Sequence, residues 1–80
     1  MKGNSIVVVT VREWQSSYGT EVDAVAFSSM NKANVWVENQ INEHIRDFDL
    51  DRDNSVDGWR VEIEPDLHTI EYEALIRVLQ

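Results

Sequence analysis

Apolar residues open the chain on both sides of a pleat: Ile6, Val7, Val8, Val9 and Val11, with Thr10 among them, fill odd and even positions alike. A β-branched run of this kind suits a strand buried on both faces, so Ser5 to Glu13 is predicted to be an interior strand. Residues 14–20, Trp-Gln-Ser-Ser-Tyr-Gly-Thr, carry turn chemistry, and Val22, Ala24 and Ala26 then alternate with Asp23, Val25 and Phe27. That pattern predicts an antiparallel hairpin. At Ser28 and Ser29 the period changes. Either hydroxyl suits an N-cap, and Met30, Ala33, Val37, Ile41, His44 or Ile45, and Phe48 recur at three- and four-residue steps. An amphipathic helix from Met30 to Asp47 is expected, packed on one face of the sheet through Ala33, Val37, Ile41 and Phe48. Trp36 flanks that stripe and is read as core.

An acidic loop follows from Asp47 to Gly58, and Trp59, Val61 and Ile63 then alternate with Arg60, Glu62 and Glu64. This predicts a third strand with one solvated face, stopped by Pro65, which lacks an amide for the ladder. The last segment has two readings. As a strand it aligns Ile70, Tyr72, Ala74, Ile76 and Val78; as a helix it aligns Leu67, Ile70, Ala74, Leu75 and Val78. The alternation through Ile70-Glu71-Tyr72-Glu73 and the lack of a capping box favour the strand. The expected fold is α+β, a mostly antiparallel β-β-α-β-β sheet with one helix on it, the alternative being β-β-α-β-α with a C-terminal helix.

Eighty residues, 42% of them hydrophobic, with one proline, allow a single folded domain, residues 1–80, and one compact core. Cysteine is absent from the sequence, so neither disulfide nor thiolate chemistry arises and a reducing cytoplasm is expected. No apolar run approaches the ~18 to 20 residues of a membrane span, and the Met1-Lys2-Gly3 start lacks a signal-peptide pattern. The net charge of −8 is carried entirely by the second half. Residues 1–37 hold three acids and three bases, residues 38–80 twelve acids and four bases. Such a surface repels phosphate backbones and anionic lipid, which argues against direct nucleic-acid or membrane binding and favours basic partners or cations.

Catalysis fits poorly. His44 and His68 are the only histidines, no serine stands in a nucleophile elbow, and neither a phosphate-binding glycine loop nor a zinc-ligand cluster is present. His44 falls on the apolar stripe of the helix and is read as a core-edge imidazole. His68 follows Pro65-Asp66-Leu67 and is read as solvated in a turn. No catalytic residue is assigned, and a non-enzymatic protein is expected.

The acidic loop carries the sharpest chemical pattern. Asp49, Asp51 and Asp53 stand two apart, Asn54 occupies a place suited to a left-handed residue, Ser55 offers a carbonyl and Asp57 completes the arc. Residues 49–60 resemble part of an EF-hand calcium loop entered by a helix. Two departures stand out: Asn54 replaces the glycine at the sixth position, and Arg60 replaces the bidentate glutamate at the twelfth. The resemblance implies at most weak calcium binding by Asp49, Asp51, Asp53, Ser55 and Asp57, and no other cofactor is expected.

Phe27, Ser28, Ser29, Ala33, Trp36, Val37 and Glu38, placed after a hairpin, resemble small stand-alone β-β-α-β domains of bacteriophage and prokaryotic genomes, largely uncharacterised. The resemblance implies an accessory gene product that works by stoichiometric binding, possible roles including inhibition of a host nucleic-acid-binding or defence protein in the host cytoplasm. The expected docking surface is an acidic face built from Asp47, Asp49, Asp51, Asp53, Asp57, Glu62, Glu64, Glu71 and Glu73, with Glu62 and Glu64, and Glu71 and Glu73, forming rows that imitate a phosphate backbone for a basic protein partner. Because the first strand is apolar on both faces and one helix covers only one of them, a symmetric homodimer is also expected. A C-terminal helix on the second face would leave a monomer instead.

Overall fold

The computed structural model describes residues 4–79, and the Met1-Lys2-Gly3 start lies outside them. The chain runs β1 (Asn4–Gln15), β2 (Gly19–Phe27), α1 (Met30–Asp47), α2 (Arg52–Ser55), β3 (Val56–Asp57), β4 (Arg60–Glu64) and β5 (His68–Leu79). The strands form one five-stranded sheet in the order β2-β1-β5-β4-β3. Every pairing is antiparallel. The last segment is therefore a strand, and it lies at the centre of the sheet beside β1.

β1 extends two residues further than its apolar run, so Trp14 and Gln15 belong to the ladder and pair with Thr20 and Gly19. The turn shrinks to residues 16–18, and Gly19 leaves it at φ 85°, a left-handed conformation that a glycine adopts without a Cβ clash. Ser29 caps α1 by accepting a hydrogen bond from the Lys32 amide. α1 crosses one face of the sheet and buries Ala33, Val37 and Ile41 against Val7, Val9, Val61, Ile70 and Tyr72. Trp36 extends this core sideways, its ring centroid 5.5 Å from Phe27 and 5.9 Å from Tyr72. Phe48 meets the expectation only in part. It is the C-cap of α1 and 49% exposed, because at the end of the stripe it reaches the margin of the sheet, its ring edge-on at 6.0 Å to His68 at the start of β5.

The acidic segment is more ordered than a loop. Asp51 starts the one-turn α2, and β3 then adds a two-residue edge to β4, pairing Val56 with Val61 and Asp57 with Arg60. The two edges of the sheet differ accordingly: β2 presents nine residues and β3 two. Among the described residues no helix is long and apolar enough to cross a membrane.

Candidate interaction surfaces

Register assigns every acidic residue of the sheet to a face. On the face turned away from α1, Asp57, Arg60, Glu71, Arg12 and Val22 stand side by side in one row across the five strands. The next row is Glu62, Thr69, Trp14 and Thr20, while on the other side Glu73, Thr10 and Ala24 are followed by Leu75, Val8 and Ala26, and then by Arg77 beside Ile6. This open face is half apolar and half charged.

Its charged half is not the bare acidic surface expected from sequence. Arg12 and Arg60 flank Glu71 on the neighbouring strands, so cations are interleaved with the carboxylates. Glu71 and Glu73 do share this face, as period-two alternation requires. Glu62 and Glu64 do not form a row: a register shift pairs Glu62 with Thr69 and Glu64 with His68, neighbours of opposite orientation on β5. An extra residue at Ile63 breaks the alternation on which the expected row depended. Arg12, Arg60 and Trp14 were the residues sequence reasoning missed here. The alternation Thr10, Arg12, Trp14 continues the strand pattern past the apolar run and carries that information.

The remaining acids gather at the edge formed by the end of α1, α2 and β3. Asp47, Asp49, Asp51, Asp53 and Asp57 are all exposed. The segment they occupy is folded as a one-turn helix and a two-residue strand. The Asp51 carboxylate accepts hydrogen bonds from the Asp53 amide at 3.2 Å and from Asn54 Nδ2 at 2.7 Å, so both of its oxygens hold the cap of α2. Asn54 is helical, and the left-handed residues of the segment are Asp49, at φ 52°, and Gly58, at φ 59°. Among the described residues no group of three or more histidine, aspartate or glutamate side chains is placed to hold a metal ion. Asp53, Asp57 and Glu62 instead line an open hollow of about 300 Å³ together with Arg60. Among the described residues only Asp47 and Glu13 have a cationic or histidine nitrogen within ion-pair distance, Arg46 Nε at 3.5 Å and His68 Nε2 at 2.6 Å respectively.

A third cluster lies beneath the second half of α1. His44 Nε2 and the Tyr72 hydroxyl are hydrogen-bonded, joining helix to sheet, and the two rings stack at 6.2 Å. His68 is the first residue of β5, not a solvated turn residue; register sets it beside Gln15 on the helix-covered face, where Glu13 binds it. Gln15 Nε2 donates to the same Glu13 oxygen at 3.3 Å. Burial holds the His44 pKa below its ordinary value, against the opposing pull of Glu13, Glu43 and Asp47. Burial first, and Glu13 and Glu43 after it, push the Tyr72 phenol up to about 12. The hydrogen-bond partners of these histidines are a tyrosine and a glutamate, which tie α1, β1 and β5 together.

Comparison with protein-family models, curated proteins and solved structures gives no match for this chain.

Proposed function

We propose that the chain is a non-enzymatic protein-binding module that engages a basic protein partner through the acidic edge made by the end of α1, α2 and β3. The observation that carries this reading is the hollow at that edge. Asp53, Asp57 and Glu62 line it beside the single cation Arg60, and among the described residues none of the three carboxylates has a cation within ion-pair distance. Exposed carboxylates of one sign raise the local concentration of cationic groups and speed encounter with a basic surface. Asp49 and Asp53 widen the patch, whereas Asp51 is held by its capping role. Glu71 contributes less than the sequence implied, because Arg12 and Arg60 flank it on the neighbouring strands. A host nucleic-acid-binding or defence protein in the cytoplasm is the class of partner that fits, since such proteins display the basic grooves an acidic module occludes.

The test is capture of lysate proteins at low salt, identified by mass spectrometry, with wild type beside Asp49→Asn/Asp53→Asn/Asp57→Asn. The expected catch is a basic protein in one-to-one ratio, released by heparin and by about 0.5 M salt, and lost with the triple variant. A catch indifferent to salt, heparin and the substitutions overturns the reading.

A further inference from the structure

Most of this molecule is acidic, yet one large face is close to neutral. The chain holds five arginines, and three of them, Arg12, Arg60 and Arg77, occupy the open face of the sheet. They stand against Glu62, Glu71 and Glu73, with Asp57 and Asp66 at the margins. The rest of the face is apolar or carries threonine, at Thr10, Thr20 and Thr69, and α1 lies on the other side. Val22 is 61% exposed and Leu75 40%.

From this juxtaposition we propose that the open face binds a second copy of the chain, about a two-fold axis running along the strands between β1 and β5. The register supplies the complementarity. Arg12 pairs with Glu71, Val8 with Leu75 and Thr10 with Glu73 on these two strands. Rotation about an axis between the strands lays β1 of one protomer over β5 of the other. Arg12 then meets the partner's Glu71, Val8 meets the partner's Leu75, and Thr10 offers its hydroxyl to the partner's Glu73. Each contact occurs twice, as an isologous interface requires. Arg12 and Glu71 from both protomers make a square of four charges in which neighbours have opposite sign. A square of this kind adds little net affinity but fixes one register among those that apolar contacts alone would allow.

Area and charge agree with this occupant. Strands of twelve, twelve, nine and five residues span a face of roughly 600 Å² in projection. Side-chain relief enlarges that figure toward the ~800 Å² per partner of a standard interface. Two chains of charge −8 repel each other through most orientations. Pairing through the neutral face turns the α1 sides, and the exposed aspartates of the acidic edge, away from each other.

The experiment is sedimentation equilibrium at tens of micromolar protein, with circular dichroism to confirm folding. Wild type, Arg12→Glu, Glu71→Arg and the double swap are compared. The expected wild-type mass is twice the 9.3 kDa of the chain. Each single reversal should weaken association roughly tenfold or more while the fold persists, since both positions are exposed, and the double swap should restore it. A wild-type monomer overturns the proposal, and so does a monomer whose open face is covered only when a basic partner is added. A dimer unaffected by either single reversal overturns it as well. The readout is the mass of the chain alone, so its failure is distinct from failure of basic-partner capture.

Discussion

His44 Nε2 lies 2.7 Å from the Tyr72 hydroxyl, and this hydrogen bond is the polar link between the helix and the central strands. Tyr72 is buried and His44 half-buried, and burial disfavours the charged form of each.

The link predicts a dependence on acid. The folded-state pKa of His44 lies below 6.5, so the unfolded chain takes up the proton first as pH falls. The stability associated with neutral His44 is complete above pH 6.5 and is lost as pH drops through the lower folded value. Melting temperature should decline between pH 7 and pH 5 more steeply in wild type than in His44→Gln. Parallel declines would show that the imidazole is not the responsible group. Tyr72→Phe should cost about 1 kcal/mol at pH 7 by removing the bond.

Core and margin of α1 should separate in a denaturant series. Ile41 is fully buried, so Ile41→Ala is expected to cost about 2 to 4 kcal/mol. Phe48, half exposed at the C-cap, should cost much less when changed to alanine, about 1 kcal/mol. Equal losses from the two substitutions would mean that Phe48 is a core residue after all.

Glu13 and Glu21 face each other directly across β1 and β2. Like charges in such a pair destabilise a sheet, so Glu21→Lys should raise stability by about 0.2 to 1 kcal/mol, and the gain should shrink in added salt. A melting temperature lowered by the substitution would contradict this placement.

The cap on Asp51 predicts the response to calcium. Millimolar calcium should leave both the melting temperature and the Trp59 emission unchanged, because Asp51 is committed to the backbone of α2 and the neighbouring aspartates do not converge. A saturable shift in either signal would show that the segment rearranges around the ion.

Much of this architecture was legible in the sequence because its strongest signals are local. The β-branched run from Ile6 to Val11 placed β1 inside the sheet, and the three- and four-residue spacing from Met30 gave α1 with the same bounds the structure has. Ile70-Glu71-Tyr72-Glu73 pointed to a strand rather than a helix, and β5 is one. What escaped depended on pairings between distant residues. The shift at Ile63 separates Glu62 from Glu64 only through the register with β5, and Arg12 is interleaved with Glu71 although 59 positions separate them in the chain. Period-two reasoning within one strand shows neither. His68 was assigned to a turn because its Glu13 partner lies at the far end of the sequence. The spacing of Asp49, Asp51 and Asp53 suggested a ligand arc, but a carboxylate two residues before an amide is also an N-cap, and at Asp51 capping prevails.

The central ladder of the sheet joins the two extremities of the described chain, with Asn4 opposite Leu79 and Gln15 opposite His68. This sets an order of events during folding. The β1–β2 hairpin and α1 rest on neighbouring residues and can form early, whereas the interior of the sheet closes only once the final strand is available. Loop closure over such separations costs slowly growing entropy, so the penalty falls on rate more than on final stability, and folding in milliseconds to seconds is expected. Until β5 arrives, β1 exposes one long apolar edge, the most aggregation-prone state the chain passes through. A product truncated before His68 should therefore accumulate as insoluble material instead of a smaller folded domain.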